Sequence, residues 1–183
     1  MEDEDKYLQP RVRLDGRIYL APYDDSWPVL FAEQARRIEK VLGPLVRAIE
    51  HVGSTSVPGL AAKPIIDINL LVPDTRREDD YVPPLLAVGY SFQIREPDWY
   101  EHRLFRAEEP PVNLHVFSEG CAEHAQMMAF RDHLRKDADA RKHYQDVKTA
   151  LAERRWRYVQ DYADAKSGVI GQILADMSAC RRN

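Results

Sequence analysis

Residues 45–72 read LVRAIEHVGSTSVPGLAAKPIIDINLLV. Two apolar runs, 45–52 and 65–72, flank a short segment of Gly, Ser and Pro, the pattern of two strands joined by a tight connection. Pro58 and Gly59 limit residues 57–62 to one or two helical turns. In the second strand, alternation places Ile65, Asp67, Asn69 and Leu71 on one face, with Ile66, Ile68, Leu70 and Val72 on the other. The second face is wholly apolar and is expected to meet the core. The first carries a carboxylate in mid-strand, where lost hydration must be replaced. Asp67 should therefore meet a metal, a cation, water in a cleft, or a basic side chain in a salt bridge.

Upstream, Arg17–Ala21 is expected to form a short edge strand. Ser26 is expected to cap a helix that has Pro28 in its first turn and Phe31, Ala35, Ile38 and Leu42 on one stripe, ending near Gly43-Pro44. Downstream, a helix over Arg76–Ala87 must kink or restart at Pro83-Pro84. Three strands follow at 89–95, 101–107 and 112–117, with Glu108-Glu109-Pro110-Pro111 as the turn between the last two. From Cys121 the pattern is helical. Met127, Phe130 and Leu134 mark one stripe; Tyr144, Val147, Leu151 and Tyr158 mark another. A last helix is expected from about Asp161 to Met177. Mixed strands followed by a helical C-terminal third predict an α+β fold.

The chain has 183 residues, enough for one core-forming domain over 11–183, with acidic residues 1–10 expected as a flexible tail. Thirty acidic residues exceed 26 basic ones, for a net charge of −4. That balance argues against binding nucleic acid by bulk electrostatics, although a local basic patch is compatible with it. No apolar run approaches the ~20 residues a spanning helix needs, and the acidic N-terminus has the wrong sign for a secretory leader. The expected location is the cytoplasm, with Cys121 and Cys180 as free thiols.

The Gly53-Ser54 turn leaves backbone N–H groups and hydroxyls free to hold phosphate oxygens, although a Gly-Ser turn is more often only a turn. The spacing is not that of a P-loop: five residues separate Gly53 from Gly59, and Pro64 follows Lys63. His51, before the turn, and His115, on the last strand, are candidate bases or hydrogen-bonded structural residues. Lys63, Arg103, Arg131 and Arg135 are candidate anion partners, or else salt-bridge partners of nearby carboxylates. Cys121-x2-His124 is half a zinc motif without a second half.

The string from His51 through Ile68 resembles the signature of the GrpB family, a nucleotidyltransferase-like group. Further similarities lie at Trp27, Arg103-x-Phe105, Asn113-Leu-His115-Val, Phe130 to Arg135, Tyr144-x3-Lys148 and Tyr162-x3-Lys166. The resemblance spans about residues 18–175. It implies a mixed sheet flanked by helices, with Gly53, Ser54 and Ser56 cradling a nucleoside triphosphate, joined by His51, Lys63, Arg103 and Arg131. In that superfamily an Asp-x-Asp pair and a third carboxylate hold two divalent cations, which implies Mg²⁺ at Asp67 and Asn69 and transfer of a nucleotidyl group to a small acceptor. His115 would be the base. Some relatives are fused to dephospho-coenzyme A kinase. This chain departs from the pattern: Asn69 replaces the second carboxylate, and Asn113, His115 and Phe117 share a face with no acid. A hard cation wants carboxylate oxygens, so the alternative is a module that binds a phosphorylated ligand through a degenerate metal site.

Overall fold

The computed structural model describes residues 6–180. The strands are β1 (Arg13–Gly16), β2 (Ala48–Val52), β3 (Ile66–Val72), β4 (Ser91–Glu96), β5 (His102–Glu108), β6 (Pro111–Ser118) and β7 (Trp156–Tyr158). The helices are α1 (Ser26–Leu42), α2 (Glu78–Ala87), α3 (Ala122–Lys136), α4 (Ala138–Ala152), α5 (Val159–Asp164) and α6 (Ser167–Cys180). Five strands form one mixed sheet of order β2-β3-β6-β5-β4, and β1 pairs with β7 in a second, two-stranded sheet. Within the large sheet β3 and β6 run parallel and every other neighbouring pair is antiparallel. This is the expected α+β architecture.

The alternation read from β3 holds. Ile66, Ile68, Leu70 and Val72 are buried with Phe105, Leu114 and Val116, against Ile38 and Leu42 of α1 and Tyr81 and Leu85 of α2. Each such side chain contributes roughly 1.5–3 kcal/mol when fully withdrawn from water. On the opposite face the register lines up Val52, Asp67, Asn113 and Arg106 in one row, and Glu50, Asn69, His115 and Leu104 in the next. Helices α3, α4 and α6 close over the β2–β3 connection, where Val57 and Leu60 pack with Leu134, Tyr144, Val169 and Ile173.

Several expectations are corrected. The first strand is Arg13–Gly16, not Arg17–Ala21, because its partner β7 arrives from far along the chain and sets where pairing starts. Ala21 makes only an isolated bridge to Ala62. Ser26 is the first residue of α1, and Asp24 accepts its N–H at 2.8 Å. The strand expected from Leu45 begins at Ala48, since residues 43–45 form a 3-10 turn. Helix α2 starts at Glu78 and includes Pro83 and Pro84 in one element. Its three leading acids complement the positive end of the helix dipole. Tyr158 lies in β7 instead of on a helical stripe, and the last helix is divided between α5 and α6, with Lys166 in the break.

Residues 6–10 of the expected tail run beside β4, with Tyr7 bridging Ile94 and the Leu8 N–H donating to Gln93 O at 2.8 Å. Residues 1–5 and the Cys180 side chain lie outside the described residues, and Cys121 is a free thiol. No helix among the described residues is long and apolar enough to cross a membrane.

Candidate functional site

Gly53 leaves β2 at φ +68°, a left-handed conformation that glycine adopts without steric cost. A Cβ placed there would lie 2.2 Å from Asp67 Oδ2, so the backbone of the turn rests directly on the carboxylate. Asp67 Oδ1 accepts a hydrogen bond from Asn113 Nδ2 at 2.8 Å, and Asn113 Oδ1 accepts from Arg106 Nε at 3.2 Å. Residues 54–56 form a single 3-10 turn, held by Ser56 Oγ donating to Gly53 O at 2.6 Å. Arg135 of α3 clamps the same turn, donating to Ser56 O from Nε at 3.0 Å and from Nη2 at 2.8 Å.

Three lysines surround Asp67 closely enough to act on its ionisation: Lys63, Lys148 and Lys166. Lys148 is only 2% exposed. Its Nζ donates to Ser54 Oγ at 2.8 Å and to Ala61 O at 2.6 Å, and stands 5.2 Å from the centre of the Tyr144 ring. Lys63 and Lys166 sit 5.6 and 5.1 Å from the Tyr162 ring centre. The Tyr162 hydroxyl is buried with no hydrogen-bond partner among the described residues.

Burial, reinforced by the neighbouring ammoniums, lowers Lys148 to about 7 and Lys63 to about 8. Burial also lowers Lys166, against the pull of Asp67. Burial raises Asp67, opposed by the Asn113 hydrogen bond and the three lysines. Three lysines thus face Asp67, and Asp164 is a further carboxylate that acts on Lys166.

Gly53, Ser54, Lys63 and Asp67, all singled out from sequence, come together here. The Ser56 hydroxyl is turned back onto its own turn. Other candidates lie elsewhere. His51 is on the apolar face of β2, stacked on Phe31 at 4.9 Å and bonded to Thr55 Oγ1 at 3.0 Å; burial lowers it to about 4. Arg103 shares the core face with Val116 and is bound by Glu78 at 2.6 Å and Glu101 at 3.2 Å. Arg131 is held by Glu50 at 3.0 Å, Asp132 at 2.8 Å and the His51 carbonyl at 2.9 Å. These salt bridges are the alternative weighed for both arginines.

His115 lies one row from Asp67. Glu96 Oε2 meets His102 Nδ1 at 2.8 Å, and His102 Nε2 meets His115 Nδ1 at 3.0 Å. Glu96 is held down to about 2, its bonds to His102 and Lys6 outweighing a burial that acts the other way. As a carboxylate it only accepts, so His102 donates from Nδ1 and accepts at Nε2. His115 then donates from Nδ1 and carries a bare Nε2. Asn69 turns its Nδ2 to His124 Nδ1 at 3.2 Å and to Met127 Sδ at 3.4 Å, while its Oδ1 is buried without a partner among the described residues.

Sequence reasoning assigned no role to Lys148, Lys166, Asn113 or Arg106. A signal existed: Tyr144-x3-Lys148 and Tyr162-x3-Lys166 repeat one spacing that puts an aromatic ring and an ammonium on the same helical side.

Among the described residues no group of three or more His, Cys, Asp or Glu side chains is placed to hold a metal ion. Asp67 supplies one carboxylate, the Asn69 amide faces His124, and three ammoniums stand around the carboxylate. That donor set does not fit a pair of hard cations.

Fold and site together define an α+β protein whose five-stranded mixed sheet carries a lysine-rich cradle on one face. The chain matches the GrpB protein family over residues 17–176 and belongs to that family. It is 52% identical over 165 residues to a UPF0157 protein of Halalkalibacterium halodurans, covering 90% of this chain and 85% of that one. It is 31% identical to a dephospho-CoA kinase of Mycolicibacterium paratuberculosis, over 75% of this chain but 40% of the kinase. The crystal structure of conserved protein GrpB from Enterococcus faecalis superimposes with a TM-score of 0.69 at 26% identity, covering 85% of this chain and 99% of that one. The Cid1 poly(U) polymerase is a fainter likeness, with a TM-score of 0.44 at 10% identity over 71% of this chain and 44% of that one.

Proposed function

We propose that this protein is a cytoplasmic binder of a phosphorylated small molecule, a nucleoside triphosphate being the favoured class. One observation carries the reading: Lys63, Lys148 and Lys166 converge on a single carboxylate beneath the Gly53-Ser54 turn. Buried ammoniums in excess of carboxylates are stabilised by an anion, and a turn with backbone N–H groups and a hydroxyl complements phosphate oxygens. The relation to a dephospho-CoA kinase agrees with a phosphorylated ligand. Titration calorimetry with ATP, GTP, CTP and UTP tests it. Binding of at least one is expected, weakened by about tenfold or more in Lys148→Met, the loss expected for a charge-assisted contact. Absence of heat with all four, or unchanged affinity in the variant, overturns it.

Nucleotidyl transfer to a small acceptor is the second reading, favoured by the bare Nε2 of His115 one row from Asp67. There the acceptor hydroxyl would attack the α-phosphorus, pyrophosphate would leave, and His115 would take the hydroxyl proton. No step in either reading runs through Mg²⁺, because the donor set does not suit it. Label passing from an α-labelled triphosphate to a new small molecule in cell extract, and failing to pass with His115→Gln, would establish the transfer.

A further inference from the structure

We infer that Lys63, Lys148 and Lys166 stand in for divalent cations, so that the site takes its phosphorylated ligand as the free polyanion. This rests on the reading of a phosphorylated ligand and adds that no metal accompanies it.

One oxygen of Asp67 already accepts a hydrogen bond, and the other lies beside the Gly53 backbone. Arg106 can only donate, so Asn113 Oδ1 must be the acceptor of that contact and its Nδ2 must face Asp67 Oδ1. An N–H donor therefore takes up part of the acceptor capacity of Oδ1. On the other side the Gly53 backbone is so close that a single Cβ would lie 2.2 Å from Oδ2. Mg²⁺ demands six oxygens at about 2.0–2.1 Å in near-octahedral order. Asn113 and Gly53 crowd this carboxylate, and among the described residues no group of three His, Cys, Asp or Glu side chains is placed to complete such a shell.

Charge argues the same way. Two unit charges about 5 Å apart repel by roughly 3 kcal/mol at an effective dielectric constant near 20, and a divalent ion doubles this for every lysine it meets. Around Asp67 a metal would meet three lysine amines for one carboxylate and would oppose their protonation, whereas a bound anion would favour it. A phosphate chain meets the reverse balance. It finds the Lys148 ammonium already aimed at Ser54 Oγ, with Lys63 and Lys166 over one tyrosine whose own hydroxyl has no partner among the described residues. Asp67 then acts as the anchor that holds the lysines together, a positioning residue and not a metal ligand.

The test compares binding of ATP and of inorganic tripolyphosphate to the unaltered protein in EDTA and in excess Mg²⁺. The expected result is binding in EDTA at least as tight as in Mg²⁺, with Mg²⁺ weakening it by competing for the polyanion. Lys148→Met with Lys166→Met should abolish binding. Binding seen only with Mg²⁺ overturns this inference and leaves the phosphorylated-ligand reading standing. Failure of both probes under both conditions overturns the two together.

Discussion

At position 53 an added methyl group would collide with a carboxylate. The φ of +68° and the 2.2 Å approach to Asp67 Oδ2 act together, so Gly53→Ala must both strain the backbone and push the acid aside. The expected cost is about 1–3 kcal/mol of stability, the usual scale for a non-glycine residue forced into such a conformation, together with loss of triphosphate binding. Gly59 is the control. It has φ +78° but nothing within 4 Å of its missing Cβ. Gly59→Ala should pay only the backbone cost and keep its affinity. Parallel melting curves and ligand titrations on the two variants check this, and equal affinities in both would contradict it.

Among the elements, α2 and β5 are fastened by Arg103, which is 4% exposed and bound to Glu78 and Glu101. Glu78 also holds Arg95 of β4, so one carboxylate ties α2 to two strands. Sequence reasoning offered Arg103 as a phosphate partner. Alternation through Phe105, a core residue, puts Arg103 on that same apolar face, across the sheet from Asp67. Arg103→Met should therefore destabilise by about 2–4 kcal/mol, the scale for breaking a buried pair from one side, and leave anion affinity intact. Chemical denaturation beside calorimetry reads both quantities. A stable variant with lost affinity would return Arg103 to the site.

Across the whole molecule the sheet separates an apolar layer under α1 and α2 from a polar face carrying Asp67, Asn113 and His115. Among the histidines lowered largely by burial are His51, to about 4, and His115, to about 3. Their folded values lie below the unfolded value, so the unfolded chain binds more protons between them and stability rises with pH in that window. Stability from these groups is present above pH 6.5 and is lost as the pH falls toward 4, at about 1.4 kcal/mol per pH unit for each histidine. Melting temperatures from pH 8 to pH 4 should fall progressively below 6.5, and His51→Gln should flatten part of that slope. A melting temperature constant between pH 6.5 and 5 would refute this.

Residues 45–72 alone specified two strands, the turn between them, the apolar face of β3 and the acid on its reverse, because alternation and turn chemistry act over neighbouring residues. The spacing of apolar side chains likewise specified α1 and most of the later elements. Tertiary structure decided which cations meet Asp67. Lys148 and Lys166 come from α4 and the α5–α6 break, and no local pattern tells which helix will close over a given strand. Tertiary structure also decided that Arg103 and Arg131 are consumed by carboxylates, and that β1 pairs with a three-residue strand more than a hundred positions away. Such choices depend on which distant charges and edges packing brings together, and that information is carried by the fold as a whole.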